Sequence, residues 1–163
     1  MKKTALTLAC CALFVGGCAE MGDTRDPTAT ATLEPRSGSS VRGDLTFTQV
    51  GDVVRVTGII SGHSKGPKGF HIHETGDCSD AKGMSTGGHF NPTKHKHGGP
   101  YEPEKHAGDL GDITFDDDGV DQVDFTVGDL SVSRDARNGI IGRAVIVPAA
   151  AADLQTDTTG NQG

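Results

Sequence analysis

Asp44-Leu45-Thr46-Phe47-Thr48-Gln49-Val50 runs into Gly51-Asp52 and returns as Val53-Val54-Arg55-Val56-Thr57-Gly58-Ile59-Ile60. The first run alternates apolar and polar residues, the period of a strand with one buried face. Gly51-Asp52 has the chemistry of a two-residue turn, and the return run is rich in β-branched residues. The stretch therefore predicts a β-hairpin. Working outward, the same signals recur. Gly69-Phe70-His71-Ile72-His73 is a further short strand. Asp112-Ile113-Thr114-Phe115 turns at Asp116-Asp117-Asp118-Gly119 and returns through Val120 to Val127, and Ile140 to Val147 is the last clear strand. The chain has 163 residues, 24 glycines and no Trp, which together favour short strands and tight turns over long helices. No internal repeat or heptad is present. The expectation is one all-β domain, a sandwich or flattened barrel of about seven to eight antiparallel strands.

The N-terminal residues read as an address and a tether. Lys2-Lys3 precedes an apolar stretch, Thr4 to Val15, that is too short to span a bilayer comfortably. Val15-Gly16-Gly17-Cys18 then resembles a bacterial lipobox. Residues 1–18 thus predict a lipoprotein signal peptide, with Cys18 lipidated as the new N-terminus; an ordinary secretory signal is the alternative. An acyl chain anchors a protein to a membrane without spanning it. The expected location is the cell envelope, facing the periplasm, and Ala19 after Cys18 favours the outer membrane. Residues 19–32, with Pro27 and an Ala-Thr alternation, predict a flexible tether, leaving 33–163 as the folded domain. The formal charge of −7 argues against nucleic acid as a partner, as does the lack of a basic run or aromatic platform. Cys10 and Cys11 leave with the signal, so Cys78 is the one thiol of the mature domain besides Cys18. It is buried and inert, paired between molecules, or without a partner.

Most of the chemistry falls between residues 71 and 109: His71-Ile72-His73, His89-Phe90-Asn91-Pro92, His97-Gly98-Gly99-Pro100 and His106-Ala107-Gly108-Asp109. Residues two apart on a strand share a face, so His71 and His73 can reach one metal while Ile72 points into packing. His89, His97, His106 and Asp109 make three imidazoles and a carboxylate, a complete donor set for tetrahedral zinc. The segment from Glu74 to Asp109 shows no sustained period and many Gly and Pro. A loop this long is uncommon unless something functional orders it, and bound metal can supply that free energy. His63 and His95 fall outside the pattern and read as exposed histidines, with help in metal capture as the sharper alternative.

These motifs, together with Gly69 to Glu74, Leu110-Gly111 and Gly139-Ile140-Ile141-Gly142-Arg143, closely resemble the copper–zinc superoxide dismutases, the bacterial envelope members above all. The resemblance runs from about Thr32 onward. It implies a Greek-key β-sandwich, copper and zinc as cofactors, and superoxide as substrate, converted to dioxygen and hydrogen peroxide. By the same resemblance His71 and His73 are copper ligands, and His89 bridges copper and zinc as the catalytic imidazole. His97, His106 and Asp109 complete the zinc set. A homodimer is a further expectation left open by the sequence.

The chain departs from the family pattern at three places. Pro148 stands where the resemblance implies a fourth copper-ligating histidine, and no histidine follows His106. Ala152 stands where the family has an aspartate that fixes ligand rings; losses of that kind cost about 10–100-fold in affinity or activity. Finally, Thr159 to Gly163 resembles the family's approach to its active-site arginine, second disulfide cysteine and closing strand. The expectation is therefore a domain without those three features, with Cys78 lacking its intrachain partner. The leading function is dismutation at reduced activity. The rival is a non-catalytic zinc- and copper-binding envelope lipoprotein of the same fold.

Overall fold

The computed structural model describes residues 26–152. The predicted hairpin forms as β2 (Arg42–Val50) and β3 (Val53–Ser61), paired antiparallel from Val50↔Val53 to Arg42↔Ser61. β1 (Thr28–Leu33) adds to the outer edge of β2, and β6 (Val120–Val127) adds to β3, giving a four-stranded sheet in the order β1-β2-β3-β6. The second sheet is β5-β4-β7, built from β4 (Gly66–His73), β5 (Asp109–Phe115) and β7 (Ala144–Ile146). Among the described residues the two sheets do not close into a barrel. The expected all-β sandwich of about seven strands is the fold observed.

The alternation predicted from the sequence decides what lies between the sheets. Leu45, Phe47, Val54, Val56 and Ile60 face inward from the first sheet, and Phe70, Ile72, Ile113 and Phe115 from the second. Phe70 and Phe125 meet edge to face at 6.0 Å, an arrangement aromatic rings favour. Each fully buried side chain of this size contributes about 1.5–3 kcal/mol.

Two boundaries differ from expectation. Thr28 to Thr32, read as the end of the tether, lie in β1, so the folded unit starts earlier than residue 33. The Ala-Thr alternation that suggested a linker is also a strand period: Ala29, Ala31 and Leu33 pack against the core while the threonines face out. Thr32 Oγ1 donates to Asp44 Oδ1 across the β1–β2 pair at 2.9 Å. At the other end, β7 covers only Ala144–Ile146. Ile140 instead donates its N–H to Ser131 O at 3.0 Å, tying that part of the expected strand to a loop. The predicted signal peptide, with Cys10, Cys11 and Cys18, lies outside the described residues.

Candidate metal centre

β4 sets the first two donors by parity. Phe70 and Ile72 are buried in the core, so His71 and His73 project from the opposite face of the sheet, which the loop from residue 74 to 108 covers. Asp109 needs a different device. Ile113 and Phe115 on β5 face the core, and Asp109 shares their odd-numbered parity. A regular strand would drive its carboxylate among apolar side chains. The register between β4 and β5 shifts between Gly69↔Asp112 and His71↔Asp109, and Gly111 takes φ +91 within the shift. This irregularity reverses the parity, as a β-bulge does. Leu110 thereby turns into the core and Asp109 toward the histidines.

The remaining donors come from loop, and a ring of backbone hydrogen bonds holds that loop to β4. Ile72 N–H donates to Gly108 O at 2.9 Å, Gly108 N–H to Phe90 O at 2.9 Å, and Phe90 N–H to Ile72 O at 2.8 Å. Each member of the ring adjoins a candidate ligand: Ile72 lies between His71 and His73, Phe90 follows His89, and Gly108 precedes Asp109. A Cβ at residue 108 would collide with Ile72 O and come within 2.9 Å of Phe90 N, so only glycine fits the ring. Arg143 braces the same region. Its guanidinium lies 3.5 Å from the centre of the Phe90 ring and donates to Gly139 O and Glu74 O at 2.7 and 2.5 Å.

Asp109 is the centre of the cluster and is 1% exposed. His89 Nδ1 lies 2.7 Å from its Oδ1; His97 Nδ1 and His106 Nδ1 lie 2.9 and 3.4 Å from its Oδ2. The backbone N–H groups of Gly98 and His106 also donate to Oδ2, at 3.2 and 3.1 Å. One donor atom from each of His89, His97, His106 and Asp109 falls within 4.8 Å of all the others, so the four can hold a metal ion. Burial pulls the Asp109 carboxyl upward, but the hydrogen bond from His89 and the adjoining imidazoles overcome it and hold the group below the usual carboxylate range. It is ionised at neutral pH, the state a ligand needs.

His89 joins this cluster to the β4 histidines. Because a carboxylate only accepts, its Nδ1 is the donor to Asp109, leaving Nε2 with a lone pair. That Nε2 is buried and has no hydrogen-bond partner in the protein. The His71 ring stacks on His89 at 4.1 Å, and the His73 ring meets it edge-on at 5.1 Å. His73 Nδ1 donates to Gly87 O at 2.9 Å, which fixes the tautomer and leaves Nε2 for a metal. Burial lowers both β4 histidines, His71 to about 3, which favours the neutral imidazole that a metal ligand must be.

Pro148 is buried beside these rings. A Cβ built at Gly69 would come within 2.8 Å of His71 Cε1 and 3.0 Å of Pro148 Cγ, so the imidazole and the pyrrolidine border the same space. Pro148 brings no donor to it. Ala152 likewise brings only its backbone N–H, which donates to Asp112 Oδ1 at 2.7 Å. The segment before it is pinned by Gly69 N–H to Ala150 O at 2.9 Å.

Six residues singled out from the sequence, His71, His73, His89, His97, His106 and Asp109, are thus brought together. His63 and His95 are not. His63 packs against Phe115 with ring centres 5.2 Å apart, and His95 is exposed in a turn closed by Asn91. Cys78 is exposed and free. Sequence reasoning missed the supports of His73. Thr86 is completely buried, its hydroxyl donates to Gly83 O at 2.6 Å, and its Oγ1 lies 3.0 Å from His73 Nδ1. Its one signal was a small polar residue beside paired glycines.

Residues 41–163 match the family described as copper/zinc superoxide dismutase. The solved structure of the clock protein EA4 is similar throughout, with a TM-score of 0.76 and 40% sequence identity over 87% of this chain and 91% of that one.

Proposed function

Because the chain belongs to the copper/zinc superoxide dismutase family, we propose that it is a copper–zinc protein of the cell envelope that dismutates superoxide at reduced activity. The observation that carries this is the two-sided setting of His89, whose Nδ1 donates to Asp109 while its Nε2 is buried without a partner and its ring packs against those of His71 and His73. His89, His97, His106 and Asp109 would hold zinc. His71, His73 and His89 would hold copper. When bound, copper supplies a one-electron couple, and zinc supplies a fixed charge without redox chemistry.

The chain's own residues divide the remaining work. Asp109 fixes the His89 ring through Nδ1 and leaves Nε2 unpaired for a second metal. Gly87 does the same for His73. Neither Pro148 nor Ala152 replaces the donor and ring-fixing acceptor that the family pattern has there, so the zinc half is complete and the copper half is short of one imidazole. The proposed residence in the envelope, through a lipid on Cys18, rests on residues 1–18 alone.

A second reading is favoured by Pro148 specifically. In it the chain binds zinc, and some copper, without useful turnover. Superoxide dismutation measured beside metal content on the same copper- and zinc-loaded sample separates the two. Turnover with about one copper per chain, lost in His71→Ala, supports the first reading. Zinc bound without turnover makes the second correct.

A further inference from the structure

Thr86 is fully buried, and its hydroxyl is the one part of it that the fold can do without. The single helical turn Met84–Thr86 closes through its backbone: Thr86 N–H donates to Gly83 O at 3.1 Å and Gly87 N–H to Met84 O at 3.3 Å. Backbone also ties this turn to the end of β4, through Thr75 N–H to Thr86 O at 3.0 Å and Glu74 N–H to Gly88 O at 2.9 Å. The hydroxyl donates to Gly83 O at 2.6 Å, a carbonyl that the Thr86 N–H already serves. Valine has the same shape and avoids the cost of burying a hydroxyl. With valine here, Gly83 O would keep the residue-86 N–H and His73 Nδ1 would keep Gly87 O, so no buried polar group would lose its last partner.

What the hydroxyl adds is a contact with a candidate ligand. Thr86 Oγ1 lies 3.0 Å from His73 Nδ1, and Gly87 O lies 2.9 Å from the same nitrogen. Carbonyl oxygens only accept, which places both protons. The single hydroxyl proton of Thr86 lies on the bond to Gly83 O, and His73 Nδ1 carries the proton shared with Gly87 O. The remaining lone pairs of Oγ1 accept from that N–H, giving a three-centre bond with two acceptors. His73 is buried, so both bonds act in a low-dielectric setting where they polarise the ring strongly. Gly87 alone suffices to choose the tautomer. A second acceptor raises the basicity of Nε2 further and resists rotation of the ring.

We propose that Thr86 is a positioning residue of the copper half: as second acceptor for the His73 N–H, it strengthens Nε2 as a donor and biases the site toward Cu(II) over Cu(I). The assignment rests on the reading that His73 is a copper ligand. A more basic imidazole favours the more highly charged ion. His73 lies outside the group of four that can hold zinc, so the effect is confined to copper.

The test uses full-length protein in mild detergent, which suppresses association through the apolar N-terminal stretch. Thr86→Val keeps the shape and removes the acceptor, Thr86→Ser keeps the acceptor, and His73→Ala marks the ligand. Affinities for Cu(II), for Cu(I) under reductant and for zinc are measured by chelator competition. Thr86→Val should weaken Cu(II) about tenfold, weaken Cu(I) less and leave zinc unchanged, while Thr86→Ser should match the parent. In the metal-free protein, nuclear magnetic resonance of the imidazole nitrogens should show a His73 Nδ1–H, identified by its loss in His73→Ala, that exchanges with water faster in Thr86→Val than in the parent. An unchanged Cu(II) affinity, equal losses for the two oxidation states, unchanged proton exchange, or Thr86→Ser behaving like Thr86→Val would overturn the proposal. Zinc affinity falling together with Cu(II) would reveal a merely structural role and overturn it as well. Cu(II) held as tightly by His73→Ala as by the parent would sink the copper reading itself and this assignment with it, a failure visible in that variant alone.

Discussion

Asp109 concentrates more interactions than any other residue of the site. Its two oxygens receive His89 and two backbone N–H groups, with His97 and His106 close by. Asp109→Ala should therefore abolish the rise in unfolding temperature that zinc produces in the parent, as calorimetry with and without zinc would show. Pro148 makes the opposite prediction. It borders the His71 ring without offering a donor, so Pro148→His should raise copper affinity by more than the ~10-fold lower bound attached to groups outside the ligand set. A competition titration against a copper chelator reads this directly, and an unchanged affinity would mean that residue 148 does not face the copper half. At this scale the sequence was highly legible. Donor identity is written in the residue type, and the His71–His73 face follows from strand period alone. Thr86 was not legible, because nothing in its neighbours says that it ends up buried against His73.

Among the elements, the pieces hardest to read were those whose form depends on a distant partner. β1 has the composition of a linker and becomes a strand only because β2 offers its edge. The shift in β5 is invisible in Asp109-Leu110-Gly111, since a glycine after a leucine fits many conformations; pairing with β4 gives it meaning. β7 is shorter than its apolar run because Ile140 is tied to Ser131 instead. The long loop from Glu74 was rightly read as lacking a period, yet it is organised by its backbone through Ile72, Phe90 and Gly108. Gly108→Ala should therefore destabilise the protein by about 1–3 kcal/mol through overpacking. It should also weaken zinc binding although residue 108 donates nothing to a metal. Denaturant unfolding and a zinc titration on one variant check both halves.

For the whole molecule, the sheets supply a core that needs no metal, while the loop adds a cluster that can hold one. Zinc that binds only the folded chain stabilises it by mass action, by about 2.7 kcal/mol when free zinc is 100 times its dissociation constant. Parent protein should thus unfold at a temperature that climbs with zinc concentration, and hydrogen exchange should slow most across residues 74–108. Equal stability with and without zinc would sink the idea that metal orders this loop. The sandwich itself was foreseen from the hairpin and the repeating turns. Among the described residues, the groove between β1 and β7 belongs to the assembled pair of sheets and to no single stretch of sequence.

The ring through Ile72, Phe90 and Gly108 is made of peptide groups only, and at Ile72 and Phe90 the side chain faces away from it. The positions that flank it are therefore free to change identity without loosening the frame that presents them. Such a frame separates where a ligand stands from what the ligand is. A lineage could exchange one donor for another, or lose one, and still keep the others aimed at a common point. The same separation makes the site a ready chassis for engineering: cysteine or glutamate placed at residue 71, 73 or 89 would inherit an aim already set, and metal preference could be retuned one position at a time.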